Sequence, residues 1–137
     1  MIEIMHKDTM TVMHGVEGES LAGADLRSAK LAGAMLWSKD LQGARLTGSG
    51  LQGAFMERAN LTRADLSGAD LYKASLHAAD LRGANLEGAN LQSADLRGAD
   101  LRGANLKNAQ LYFARYDRTT RWPGFFFAPG QRGAISD

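Results

Sequence analysis

Ser75, His77 and Asp95 carry a hydroxyl, an imidazole and a carboxylate, the groups that a nucleophile, a general base and an orienting acid require. Ser75 and His77 stand two apart, and Asp95 follows twenty residues after Ser75, so they meet only in a fold that stacks residues at that spacing. A relay also needs the base aimed at the nucleophile, an oxyanion hole and a sheltered cleft. His6 and His14, with Glu3 nearby, have metal-ligand chemistry but lack a third firm ligand. The chain has no Cys, which removes thiol catalysis, Cys–zinc sites and disulfides. The recurring Leu-x-Gly-Ala is no phosphate loop, because no Gly-Lys-Ser/Thr follows it. Asp25, Asp65, Asp70, Asn85, Asn90 and Asp95 each precede a Leu; short polar side chains in such a place bond the neighbouring backbone. No catalytic, cofactor-binding or metal site is expected, and the chain reads as a non-enzyme.

The elements that must position these residues follow from one periodicity. Stepping by five from position 21 to position 116 gives twenty positions, of which eighteen are Leu; the exceptions are Met56 and Tyr116. Every Leu of the 137-residue chain lies in this register. Two residues before it, Ala occupies seventeen of twenty positions, with Glu19, Lys39 and Ser49 as exceptions. A helix turns through ~3.6 residues, so a five-residue step would carry Leu around the whole cylinder. Ala and Leu two apart share one face of a strand, and the alternation then breaks. A short extended stretch followed by a corner satisfies both, with Gly or a small residue making the turn.

The pattern A-[D/N]-L-x-x resembles the pentapeptide repeat family over residues 19–118. The resemblance implies an all-β fold: a right-handed quadrilateral β-helix with four units per coil and about five coils. Leu and Ala would then point inward and stack on counterparts twenty residues away, filling the interior completely. Such a solenoid is held by neighbouring coils and needs caps at its two open ends.

Residues 1–18 lie outside the repeat and read as an N-terminal β-hairpin cap, with Ile2, Ile4 and Val12 in its strands and Lys7-Asp8-Thr9-Met10 between them. Glycine would suit that turn better than Met10. Residues 119–137 read as a C-terminal capping tail. Trp122, Phe125, Phe126 and Phe127 are expected to plug the last layer or to form a homodimer seam at that end. The segment from Thr120 to Phe125 and the later Gly133-Ala134 resemble tails of bacterial members of the family.

Four units per coil also sort the outer residues into columns. On the first face Asp80 stacks on Asp100 and Arg82 on Arg102, and charge pairing relieves the repulsion. Tyr72, Tyr112 and Phe113 on the third face read as covers for neighbouring coils. Met35, Trp37 and Phe55 gather on the fourth face, either under the hairpin or as an exposed interaction patch.

Sixteen basic and fifteen acidic residues leave a net charge of +1, which is no footprint of a nucleic-acid binder. No run approaches the ~18 apolar residues of a membrane span, and the start of the chain does not read as a signal peptide. The expectation is a cytoplasmic, non-catalytic structural or protein-interaction module, monomeric or homodimeric through a solenoid end, with a protein partner and no membrane. The resemblance supplies one alternative, since some members modulate DNA gyrase as acidic rods that mimic DNA. The net +1 and the short repeat stand against it.

Overall fold

The computed structural model describes residues 1–124 and 129–137. Its unit is set by the backbone after each Leu. The carbonyl of Leu21 accepts the N–H of Ala24 at 3.1 Å, and the same bond recurs down the chain to Leu111 and Ala114 at 3.0 Å. The residue two past each register position holds a positive φ, between 55° and 72° from Gly23 to Phe113. That is the third position of a type II turn. Glycine recurs there for this reason. Where Ala78 or Phe113 stands instead, a Cβ is held in the left-handed region at some cost.

The residue before Leu closes the corner from outside, as the sequence predicts. Oδ1 of Asp40, Asn60, Asp65, Asn85 and Asp100 each accepts the N–H two residues on, at 3.1–3.2 Å. Residues twenty apart pair in parallel on four sides, from Asp25 with Arg45 to Asp95 with Arg115. Each pairing is a two-bond ladder: Leu46 N–H donates to the Asp65 carbonyl at 2.7 Å, and Asp65 N–H donates to the Ala44 carbonyl at 2.9 Å. Four units therefore complete one turn, and the backbone of the walls is hydrogen-bonded throughout the middle of the rod.

All eighteen Leu are buried, together with Met56 and the Ala column from Ala54 to Ala114. The exceptions in the Ala column are informative. Lys39 turns to solvent at the start of the rod. Ser49 is fully buried, and its hydroxyl has no hydrogen-bond partner.

At the N-terminal end, strands β1 (Ile2–Met5) and β2 (Val12–Val16) form an antiparallel hairpin with an irregularity between Ile4 and Met5. Met10 holds a φ of 53° in the connecting loop, the conformation for which glycine is better suited. Ile4 is buried, and Ile2, Met13 and Val16 pack against the core. β1 also joins the first coil: Met35 N–H donates to the Met5 carbonyl at 2.8 Å, and Lys7 N–H donates to the Gly33 carbonyl at 3.1 Å. The hairpin thus pairs with one side of the first coil while its apolar face packs onto the core.

At the other end the ladder slips by one residue. Arg121, twenty-one residues on, pairs with Asp100. Thr120 takes the inward place; its hydroxyl donates to the Leu96 carbonyl at 2.9 Å and accepts Asp117 N–H at 3.0 Å. Trp122 follows, half-buried and edge-on to Tyr116 at 5.6 Å. After a short 3₁₀ turn over Pro129–Arg132, the chain regains the repeat spacing. Strand β4 (Ile135–Ser136) pairs in parallel with β3 (Arg115–Tyr116), and Ala134 is buried twenty residues beyond Ala114. Phe125, Phe126 and Phe127, expected as plugs or a seam, lie outside the described residues.

Candidate interaction surface

Ser75, His77 and Asp95 are neighbours without forming a relay. Ser75 and Asp95 pair through their backbones, one above the other. The Asp95 carboxylate is committed to Arg97, whose Nε and Nη2 donate to it at 2.9 and 2.6 Å. Those bonds hold the carboxyl below its ordinary range, against a contrary push from partial burial. His77 stands exposed at the corner, on an open wall. His6 serves a structural purpose: its Nδ1 accepts the N–H groups of Asp8 and Thr9 at 3.2 and 3.3 Å. His14 pairs with Ile4 across the hairpin. Among the described residues no group of three His, Cys, Asp or Glu is arranged to hold a metal ion.

Four acids of the walls, Asp25, Asp80, Asp95 and Asp100, pair with the arginine of their own unit. Arg82 grips Asp80 at 2.6 and 2.8 Å, and Arg102 grips Asp100 in the same two-pronged way. Each bond lowers the carboxyl's proton affinity and raises the guanidinium's, and the stacked Asp100 opposes part of the effect at Asp80. Amides tie neighbouring coils together: Asn60 donates to Asp40 and Asn90 to Asp70, both at 3.1 Å. These walls present neutralised pairs, which build no field of one sign.

Met35, Trp37 and Phe55 differ in exposure. Met35 and Phe55 pair on adjacent coils and are half-buried, and the Lys7 ammonium lies 5.1 Å above the Phe55 ring. The hairpin therefore reaches this face. It leaves Trp37 50% exposed. Trp37, Ser38, Phe55, Glu57, Arg58 and His77 line one shallow groove along the corner. Further down the same corner the side chains close on one another. Arg97 bridges Asp95 and Asp137, and Asp137 also takes Arg115 at 2.8 Å.

Sequence reasoning did not identify Arg58, Asp137 or Thr120. Arg58 sits at a corner position usually held by Gly or another small residue, which hides it. Asp137 and Thr120 act beyond the last Leu, where no periodic signal survives. Tyr112 and Phe113 are mostly exposed, and the Tyr112 ring lies against Gly133.

A four-sided parallel β-helix with a filled interior and open outer grooves is a solenoid of short repeats. The chain belongs to the pentapeptide repeat family: the family model for pentapeptide repeats matches eight copies over residues 40–77 and 79–112. Members form right-handed quadrilateral β-helices. A pentapeptide repeat protein from Nostoc Pcc 7120 is 35% identical, over 82% of this chain and 84% of that one, with a TM-score of 0.57. A second, from the Arabidopsis thaliana thylakoid lumen, is 30% identical over 72% of this chain and 66% of its own, with a TM-score of 0.56. QnrB1, a plasmid-mediated fluoroquinolone resistance protein, shares the fold at 16% identity and a TM-score of 0.52. No curated protein matches the sequence. No helix among the described residues is long and apolar enough to cross a membrane.

Proposed function

We propose that this protein is a non-catalytic interaction module of the cytoplasm. In this reading it is a rod of five coils, capped by the hairpin of residues 1–18 and the tail of residues 119–137, that docks a protein partner. It works as a monomer or as a homodimer joined through a solenoid end. The observation that carries the reading is Trp37, half exposed in a groove on a wall whose other large side chains are mostly polar. Large exposed aromatics are over-represented at protein contacts and anchor them energetically. A rigid β-helix keeps such an anchor in place at little entropic cost.

Trp37→Ala tests this. The expected result is an unchanged melting temperature with loss of a specific partner captured by the wild-type chain. A large fall in melting temperature would instead make Trp37 a structural cover. The alternative, a DNA-mimicking modulator of DNA gyrase, requires a wall of unpaired acids; the pairing of Asp80, Asp95 and Asp100 with arginine speaks against it. A supercoiling assay with purified gyrase is expected to show no effect at micromolar protein.

A further inference from the structure

The groove at Trp37 sets a half-exposed indole beside polar side chains that are not paired. The side chains of Trp37, Glu57 and Arg58 make no hydrogen bond or ion pair among the described residues, and His77 lies near enough to the Asp95 carboxylate to favour its ionised form. Arg27, Arg82, Arg97 and Arg102, one place after a register residue, are each locked to the Asp two residues before them, whereas Arg58 and Arg63, at the corner position with a φ of 57°, are not. Arg58 has no such partner, because the residue two before it is Met56, buried in the core. Its backbone is fixed at a φ of 57° in the corner turn, so the free guanidinium stands on a rigid base.

The indole N–H of Trp37 and the guanidinium of Arg58 only donate hydrogen bonds, whereas the Ser38 hydroxyl and the His77 imidazole can donate or accept. Lys7 adds an ammonium above Phe55, although it also touches Asp8 at 3.4 Å. Glu57 is the one carboxylate in the lining. The Trp37 and Phe55 rings supply apolar surface between these donors.

We propose that the groove takes an acidic peptide segment of a partner, with an apolar side chain seated on Trp37 and Phe55 and a neighbouring carboxylate received by Arg58. The proposal rests on the docking reading above and adds the partner's chemistry. A carboxylate matches the planar fork of the guanidinium with two parallel hydrogen bonds. The apolar anchor covers the indole face and excludes water from that pair. Glu57 restricts the match: it repels a continuous polyanion such as a nucleic acid strand, whereas a peptide can carry its charge to one side.

The test titrates the isotope-labelled full chain with three short peptides that share one central Leu. Their flanks carry Asp and Glu, or Asn and Gln, or Lys and Arg. The expected result is that the acidic peptide moves the Trp37 indole N–H resonance and leaves that of Trp122 in place. The amide peptide should bind at least about tenfold more weakly, and Arg58→Glu should cost the acidic peptide a similar factor, with the melting temperature unchanged in that variant. Equal binding of the acidic and amide peptides would overturn the proposal while leaving docking at Trp37 intact. Preference for the basic peptide, tighter binding of a single-stranded oligonucleotide, or no movement of the Trp37 resonance by any peptide at millimolar concentration would overturn it as well. The docking reading itself stands or falls on Trp37→Ala capture, which the peptides do not measure.

Discussion

One corner of the rod exists in two conditions. Near the N-terminus it carries Trp37, Glu57 and Arg58, none paired among the described residues. Near the C-terminus the same column carries Arg97, clamped between Asp95 and Asp137, with Arg115 completing the chain of charges. The backbone is the same in both halves, and so is the buried stack of Leu and Ala. The difference therefore lies in the outer side chains and in the end segments that reach them: strand β4 brings Asp137 to one stretch, and the hairpin leaves Trp37 uncovered on the other. It teaches that a repeat of this kind can assign stability to one stretch of wall and leave another stretch free for contact. The core bears both.

The shared core gives the largest expected effect. Leu86 is fully buried in the middle of the rod. Leu86→Asp places a charge among apolar side chains with no partner and is expected to abolish cooperative melting of both halves. A variant that melts like the parent would show that the two halves do not share one core.

Paired substitutions at the corner come next. Arg97→Ala removes a guanidinium that binds two carboxylates and is expected to cost about 1–2 kcal/mol in denaturant unfolding. Arg58→Ala removes an unpaired one and is expected to change stability by less than about 0.5 kcal/mol. Equal losses would erase the distinction between the halves.

Acid should weaken the clamped half. Its Arg97 bonds hold Asp95 below the ordinary carboxylate range, so the folded state favours the ionised form. The resulting stability is present above the unfolded carboxylate value of about 4 and is lost as pH falls through the lower folded value. Melting temperature should hold steady from neutral pH to about pH 5 and fall below about pH 4, with a shallower acid loss in Arg97→Ala.

The smallest effect contrasts two buried hydroxyls. Thr120 has a donor and an acceptor for its Oγ1, whereas Ser49 has none. Ser49→Ala is expected to raise stability by about 1 kcal/mol, because it removes an unsatisfied polar group from a position built for Ala. Thr120→Ala should lower it. A loss in both would mean that Ser49 has a partner.

These contrasts also mark how far the sequence could be read. The inward registers, the turn glycines and the backbone-bonding Asp and Asn were legible, because each repeats at a fixed offset from Leu. The condition of each corner was not. Whether Arg58 or Arg97 finds an acid depends on the residues two before and on coils twenty or forty residues away, and Asp137 reaches Arg97 only through the returning strand β4. The one-residue slip at Arg121 was hidden for a similar reason, since the last Leu stands at position 111 and the five-residue register ends at Tyr116, before the slip. Met35, Trp37 and Phe55 were visible as large residues on one face. Their separation into a half-buried thioether, a half-buried ring and one exposed indole depends on where the hairpin lies.

The most direct measurement is a residue-by-residue map of amide and indole shifts along this corner as the acidic peptide is added to the full chain. The expected result is that the changes centre on Trp37, Ser38, Glu57 and Arg58 and fade toward Arg97 and Asp137. Changes centred on the clamped half, or spread evenly along the column, would contradict it.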